Sequence, residues 1–538
     1  MNKEIRLPAD ELYVPVVELR AGDIRAVYEE GRLRYMSAGD TEIIRMIYPA
    51  LRDDNWRTII PVLSEEKIST RPRSFSISYS AWYEAEEIRY RAYFTIEGRS
   101  DNSIVFSMRG EAFSRFKKRR IGLCLLHPIE SCSEKEIEVL QPDGTNYCSL
   151  FPAFVSPFQP FLNVRGMKWI TGNGTLVEIG YEGDIFETED QRNWSDNTYK
   201  TYCTPLTVPS PAMVNIGDTV EQKITVRAET KNTVFRKNRE VSQGELKLPF
   251  PRIGYARGNA TLVLNPVQAS LLKEIPFDHY TVQLDLSGNW EKIFKDAVEE
   301  ARQFDTRLEL VINFDLMNDP ELNAVTDAIK PSLKFVYSIL ILSAHHETAP
   351  RDFFVHAYGL IKKSLGDIST GYGCNTDFAG LNRNRPADIA YDFVNFHLQP
   401  QVHMTDNRSI MENLNSQETL IRSANKFTGG KPLHISTVTL GPADTVDKRF
   451  NTYFAAWWTL LAIRNMSAAQ GISFYQLTGE MGVINGENTT PVYTVLRTIK
   501  DFSPKYILQN TGQKVILENE SGDRLVFTSS LPEPDCRQ

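Results

Sequence analysis

The sequence predicts a multidomain chain of antiparallel β followed by parallel α/β. A β-sandwich spans residues 1–248, a (β/α)8 TIM-like barrel spans 249–490, and a helix with a small β segment spans 491–538. Three observations carry this reading. Short period-two runs fill the first half, strands and helices alternate from residue 250 onward, and three short β runs close the chain. The composition permits it: 538 residues with 41% hydrophobic and 24% charged side chains are ordinary globular values, enough for sizeable cores.

In the first half, 74–79, 89–94, 103–108 and 219–226 alternate apolar with polar residues, the mark of half-buried strands. Glu97-Gly98 and Asp143-Gly144 are expected turns between them. The basic run Lys117-Lys118-Arg119-Arg120 falls in a β-like stretch and reads as a solvated strand edge or turn. With a net charge of −8, the chain lacks the basic footprint of a nucleic-acid binder.

From residue 250 the period changes. Strands are expected to start at residues 252, 279, 307, 335, 366, 389, 433 and 472. Between them, Asn265-Pro266 supplies an N-cap and a first-turn proline for a run to 272. The segment 290–304 places Ile293, Phe294, Ala297, Val298 and Ala301 on one helical face. Asp319-Pro320 opens another helix, and others follow at 352–364, 409–426 and 450–468, the last two stopped by Gly429-Gly430 and Gly471. Eight such units match a (β/α)8 barrel of ordinary size. A helix at 492–502 leads into β runs at 506–508, 514–518 and 524–529.

Targeting and metal signals are missing. The opening residues hold no apolar signal region, and no stretch approaches the ~18 apolar residues of a membrane helix. A cytoplasmic protein without membrane or nucleic-acid partners is expected. The cysteines at 124, 132, 148, 203, 374 and 536 are scattered, so free thiols are expected rather than a disulfide framework or a zinc site.

Barrel enzymes hold their active sites at the C-terminal ends of the strands. Strand four is followed by His345, His346 and Glu347, and strand five by Asn375, Asp377, Asn382, Arg383 and Arg385. Strand six is followed by Gln399, Gln401, His403, Asp406 and Asn407, and strand eight by Gln476 and Glu480. Each is either a functional group or a solvated loop residue. His403 and Asp406, three apart after Gln399-Pro400-Gln401, stand out as placed. Strand seven offers no carboxylate before Asp444, which counts against a retaining glycosidase and its pair of carboxylates.

The densest polar cluster, Glu187 to Asp196 and on through Tyr199-Lys200-Thr201-Tyr202, lies in the first half. It reads either as a sandwich hairpin with a local salt bridge or as a loop reaching over the barrel mouth. His127, just before Pro128, is either a structural histidine or a site residue. No G-x-G-x-x-G follows a strand, and no Walker loop, H-E-x-x-H or G-x-S-x-G elbow is present. His345-His346-Glu347 has no diagnostic metal spacing, so no metal and no cofactor are assigned.

Three segments resemble the D-apionate lactonase family. They are Glu189-Asp190-Gln191-Arg192-Asn193-Trp194-Ser195-Asp196 with Tyr199-Lys200-Thr201-Tyr202; Arg120-Ile121-Gly122 with Cys124, Leu126, His127 and Pro128; and Asn382-Arg383 with Pro400-Gln401-Val402-His403 and Asp406. The resemblance implies a carboxylic ester hydrolase, a lactonase that converts D-apionolactone to D-apionate in the breakdown of apiose, a plant cell-wall sugar. The implied partner is a small-molecule sugar lactone. In one respect the chain departs from the pattern: the family's last barrel strand often ends in aromatic-Glu-Thr-Thr-Gly, where this chain has Tyr475-Gln476-Leu477-Thr478-Gly479. A glutamate serving there would be replaced by Gln476 or by Glu480.

Position and chemistry then suggest the roles. Glu189, Glu347, His403 and Asp406 are the expected acid and base groups, with His403 oriented by Asp406. Asp190, Arg192, Asn193, Lys200, Tyr202, Asn382, Arg383 and Glu480 are the expected substrate-binding groups. The alternatives are a glycoside hydrolase acting on plant cell-wall glycans or an inactive carbohydrate-binding relative.

Overall fold

The structure is a computed structural model describing residues 2–9, 13–230, 246–258, 264–442, 445–509 and 512–531. Asp444 and Cys536 lie outside the described residues. The chain divides into two compact units. A sandwich unit comprises Val14–Gln191 and Asn197–Glu240, and a barrel unit comprises Met1–Tyr13, Arg192–Asp196 and Val241–Pro534.

The sandwich unit contains two sheets, each nine-stranded among the described residues and built from antiparallel pairs. The alternation seen in the sequence is the reason. In the strand Ile88–Arg99, Tyr90, Ala92, Phe94 and Ile96 are buried while Arg89, Tyr93, Thr95 and Glu97 face solvent. One apolar core joins residues of both sheets, including Ile47, Leu123 and Leu125 from one and Phe94, Phe106 and Ile224 from the other. Each fully buried side chain of this kind stabilises by roughly 1.5–3 kcal/mol.

Several local expectations are corrected. Gly98 lies within a strand rather than a turn, paired with Phe75 and Ile104, and it is glycine because a Cβ there would sit 2.0 Å from the Phe75 ring. The reversal comes instead at Asn102, with φ +62°. Gly144, with φ +84°, does take the expected turn. The basic run is not an edge: Lys117 and Lys118, in the strand Phe116–Pro128, pair with Met213 and Ala212 on one side, and Lys118 and Arg120 pair with Asp53 and Arg52 on the other. Arg120 is buried, with its guanidinium 3.6 Å from the Tyr202 ring centre. His127 is wholly buried among Phe151 and Trp169, and its Nε2 lies 2.8 Å from Thr201 Oγ1. Burial pushes its pKa down to about 3, so it is a neutral structural group.

The barrel unit holds the closed parallel barrel. Its strands are β1 (Arg252–Ala256), β2 (His279–Asp285), β3 (Arg307–Phe314), β4 (Val336–Ser343), β5 (Ser369–Gly373), β6 (Phe393–Leu398), β7 (Leu433–Val438) and β8 (Gly471–Phe474). Pairing of β1 with β8 closes it. β5 and β6 start later than the sequence suggested. Gly366, with φ +74°, ends the helix Arg351–Leu365, and Asp388, with φ +53°, keeps the chain in a loop before β6. The helix expected over 409–426 is two helices, Asn407–Asn413 and Ser416–Thr428. The Ser416 hydroxyl donates to the Asn413 carbonyl at the break. Asn265 forms a full capping box with Gln268.

The C-terminal β segment recruits strands from far away. Its five strands run in the order Asn2–Leu7, Arg524–Ser529, Lys514–Glu518, Tyr506–Gln509, Leu246–Pro249. The first and last come from the stretch assigned to the sandwich and cover both edges of a three-stranded meander. Among the described residues no helix is long and apolar enough to cross a membrane.

Candidate active site at the barrel mouth

Hydrogen bonds across the barrel identify its inward face. Glu309 on β3 lies 2.6 Å from His434 Nδ1 on β7, and Thr281 on β2 lies 2.7 Å from Ser473 on β8. Inward residues recur every second position along a strand. Gln283 and Asp285 therefore follow Thr281, and Val311, Asn313 and Asp315 follow Glu309. Val311, Leu340, Leu342 and Phe393 form an apolar plug. Beyond it, Gln283 and Asp285 are exposed although they face inward, and Asn313 and Asp315 are half-buried. Exposure on an inward face means that the barrel is open at this end, the C-terminal end of its strands.

Several polar groups stand at this mouth. His345 Nε2 lies 2.9 Å from Asp315 Oδ1. His397, two positions after Asn395 on β6, has Nδ1 3.1 Å from Thr437 Oγ1. Burial lowers its pKa to about 4, so it acts as a neutral hydrogen-bonding group. His397 was not among the candidates expected after strand six, which extends to Leu398 and includes it. The alternation Phe393, Asn395, His397 would have found it. Asp377, after β5, has its pKa raised to about 7 by burial, and one of its carboxylate oxygens is buried without a hydrogen-bond partner.

A second cluster forms around the segment Arg192–Asp196, which belongs to the barrel unit. His403 Nδ1 lies 2.6 Å from Asp196 Oδ2, and both side chains are under 10% exposed (8% and 6%). Asp196 Oδ1 also accepts from Asn413 Nδ2 at 3.2 Å, and the Ser416 hydroxyl, 2.8 Å from both the Ser195 and the Asn413 carbonyls, shares its proton between them. The Trp194 ring meets His403 edge-on at 5.7 Å, and the Arg383 guanidinium lies 5.3 Å from the Trp194 ring centre. Asn382 donates to Asn193 Oδ1 at 3.0 Å and accepts from Arg385 at 2.7 Å. Arg192 is wholly buried in the single 3-10 turn Gln191–Trp194.

Within this cluster the carboxylate seen against His403 is Asp196, whereas spacing along the chain points to Asp406. Asp406 caps the helix Asn407–Asn413, accepting from Ser409 N and Oγ, both at 3.0 Å. Asp196 stood in the quoted motif, but sequence distance hid its partner 207 positions away.

The remaining candidates are placed differently. Glu189 and Lys200 face each other across neighbouring strands of the sandwich unit and form a buried ion pair at 2.8 Å. Asp190 accepts from Ser156 N at 2.9 Å, and Tyr202 donates to Glu187 at 2.6 Å. These four are a sandwich cluster. Glu347 is exposed after β4, with Asn384 Nδ2 3.3 Å from its Oε2. Glu480 is exposed after β8, and its carbonyl accepts from Asn451. Gln476 is half-buried, and any side chain at Gly258 would meet it at 2.7 Å.

Comparisons with known proteins bear on this arrangement. Residues 6–231 match the family model described as the D-apionate lactonase N-terminal domain, and residues 253–504 match the D-apionate lactonase TIM barrel domain. A protein named D-apionate lactonase from Brucella anthropi is 26% identical over 90% of this chain and 88% of its own. Among solved structures, a family 39 glycoside hydrolase from Bacteroides cellulosilyticus WH2 covers 73% of this chain and 83% of its own at 11% identity, with a TM-score of 0.39. A GH30 endoxylanase from Clostridium papyrosolvens C71 covers 52% and 80% at 12% identity, with a TM-score of 0.35. Likenesses this distant assign no chemistry.

Proposed function

Because the chain belongs to the D-apionate lactonase family, we propose that it is a lactonase that opens D-apionolactone to D-apionate in the breakdown of apiose, with His403 as general base. The observation that carries this reading is the buried His403–Asp196 contact at 2.6 Å, which joins two of the segments that mark the family.

Asp196 accepts from Nδ1–H, which leaves Nε2 as the basic nitrogen and holds the ring in one orientation. Nε2 takes a proton from water as the water oxygen attacks the lactone carbonyl carbon. Arg383 stabilises the oxyanion that develops, and Asn193 and Asn382 hold substrate hydroxyls. When the ring C–O bond breaks, the imidazolium returns its proton to the leaving alkoxide. The acid formed ionises near neutral pH, so each turnover releases one proton.

The test is to incubate the purified protein with D-apionolactone in a pH-stat, alongside a panel of aryl glycosides. One proton per lactone, with no added nucleotide, is expected. Glycoside turnover without lactone opening would favour a glycosidase, and tight polyol binding without either would favour a carbohydrate-binding relative.

A further inference from the structure

A cleft of about 460 Å³ opens in the barrel unit between the loop after β4 and the loop before β6. Its chemistry is set by His346, Glu347, Arg351, Tyr372, Asn384 and Arg385. The volume is in the range of small-molecule sites. Both arginines are fixed by neutral groups. Arg385 donates Nη2 to Asn382 Oδ1 at 2.7 Å, and its guanidinium lies 4.8 Å from the Phe427 ring centre. Arg351 donates to the carbonyls of Ala387 and Asp388, the latter at 3.0 Å. Among the described residues, neither guanidinium is in an ion pair with a carboxylate.

That imbalance points to a ligand. Two cations wall a small-molecule cleft whose one carboxylate, Glu347, is engaged by an amide. Guanidinium groups match carboxylates in geometry and charge. The exposed Asn384 side chain, whose Nδ2 donates to Glu347 and to the Gly380 carbonyl, offers its amide oxygen as an acceptor suited to an alcohol group. Asn382 links the cleft to Asn193, so it connects with the cluster around His403.

We propose that this cleft binds a small polyhydroxy-carboxylate, the class of anion that lactone opening releases. The identity of the anion rests on the lactonase reading; the site itself does not. Arg351 and Arg385 take the carboxylate, and Glu347, at the wall of the cleft, opposes the ligand's charge.

Isothermal titration of the full-length protein with sodium D-apionate tests this, with erythritol as an uncharged polyol. Apionate should bind at least tenfold tighter than erythritol. Arg351→Met and Arg385→Met should each weaken apionate at least tenfold, and His403→Gln should leave a binding event. Glu347→Gln should tighten binding at least twofold, because a repelling charge is removed; a purely structural role would not do this. Unchanged affinity in both arginine variants overturns the proposal, as does loss of all binding in His403→Gln. If the arginine variants fail to fold, Glu347→Gln decides: unchanged or weaker binding overturns it. Arginine-dependent apionate binding in a protein that opens no lactone would sink the lactonase reading and keep this site.

Discussion

The two ends of the barrel interior use the same inward strand positions to opposite effect. At the N-terminal end, Glu309 and His434 are wholly buried, with Thr281 and Ser338 bonded to the same carboxylate. His279, also buried, lies 2.7 Å from Ser473. Burial alone would raise the Glu309 pKa, but the His434 ring 2.6 Å away, helped by His279, holds it at about 2. At the other end, Gln283 and Asp285 face the same interior yet meet solvent. The lesson is that the same inward strand positions carry a covered polar cluster at one end of the barrel and solvent-facing polar groups at the other, so coverage, not residue type, separates the two ends.

The comparison breaks if substitutions at the two ends have similar effects. The largest effect is expected in the cluster around His403, beyond the end of β6, on rate. His403→Gln should lower kcat for D-apionolactone by about 10²–10⁴ while the circular dichroism spectrum stays that of the parent. A spectrum change of equal severity would make His403 a structural residue.

Next comes the closed end, on stability. Glu309→Gln leaves His434 buried without its anion, and removing one partner of such a pair costs about 3–5 kcal/mol. The urea transition of the barrel should move accordingly, with kcat of the folded fraction little changed. A rate loss without a stability loss would reverse the assignment of the two ends.

The acid limb sharpens the same point. Glu309 has its carboxyl depressed to about 2, below the unfolded value of about 4.3. Its contribution is therefore complete above the unfolded value and is lost as pH falls through the folded one. Between about pH 4.5 and 2, the parent should lose stability more steeply than Glu309→Gln. Equal slopes would remove Glu309 as the cause.

The smallest effect belongs to the exposed pair. The His345 and Asp315 side chains are 58% and 30% exposed, so Asp315→Asn should change stability by less than about 1 kcal/mol. A larger loss in thermal unfolding would mean that the mouth is more enclosed than its exposure indicates.

Much of this architecture was legible in the sequence, because local periodicity follows from which faces are buried. The run 290–304 became Trp290–Phe304, with Phe294, Ala297, Val298 and Ala301 buried as its pattern required. What the pattern could not carry was pairing over long distances. Asn2–Leu7 alternates too little to announce that its partner is Arg524–Ser529, and nothing near Gly98 reveals the Phe75 ring that forbids a side chain there. The site behaved likewise. The motif containing Asn193 and the one containing His403 could each be quoted, but their junction through Asp196 is a property of the folded chain. Spacing favoured Asp406 as the partner because it counts along the chain, whereas hydrogen bonds are made across it.

The most direct test of the central claim, that His403 held by Asp196 is the base, is the turnover of D-apionolactone by Asp196→Asn in a pH-stat. An amide keeps the shape of the side chain but no longer presents an anion to the imidazole. The account predicts a folded protein whose kcat falls by about 10²-fold or more, in line with other oriented histidine bases. A folded Asp196→Asn protein that releases protons from the lactone within about threefold of the parent rate would contradict it.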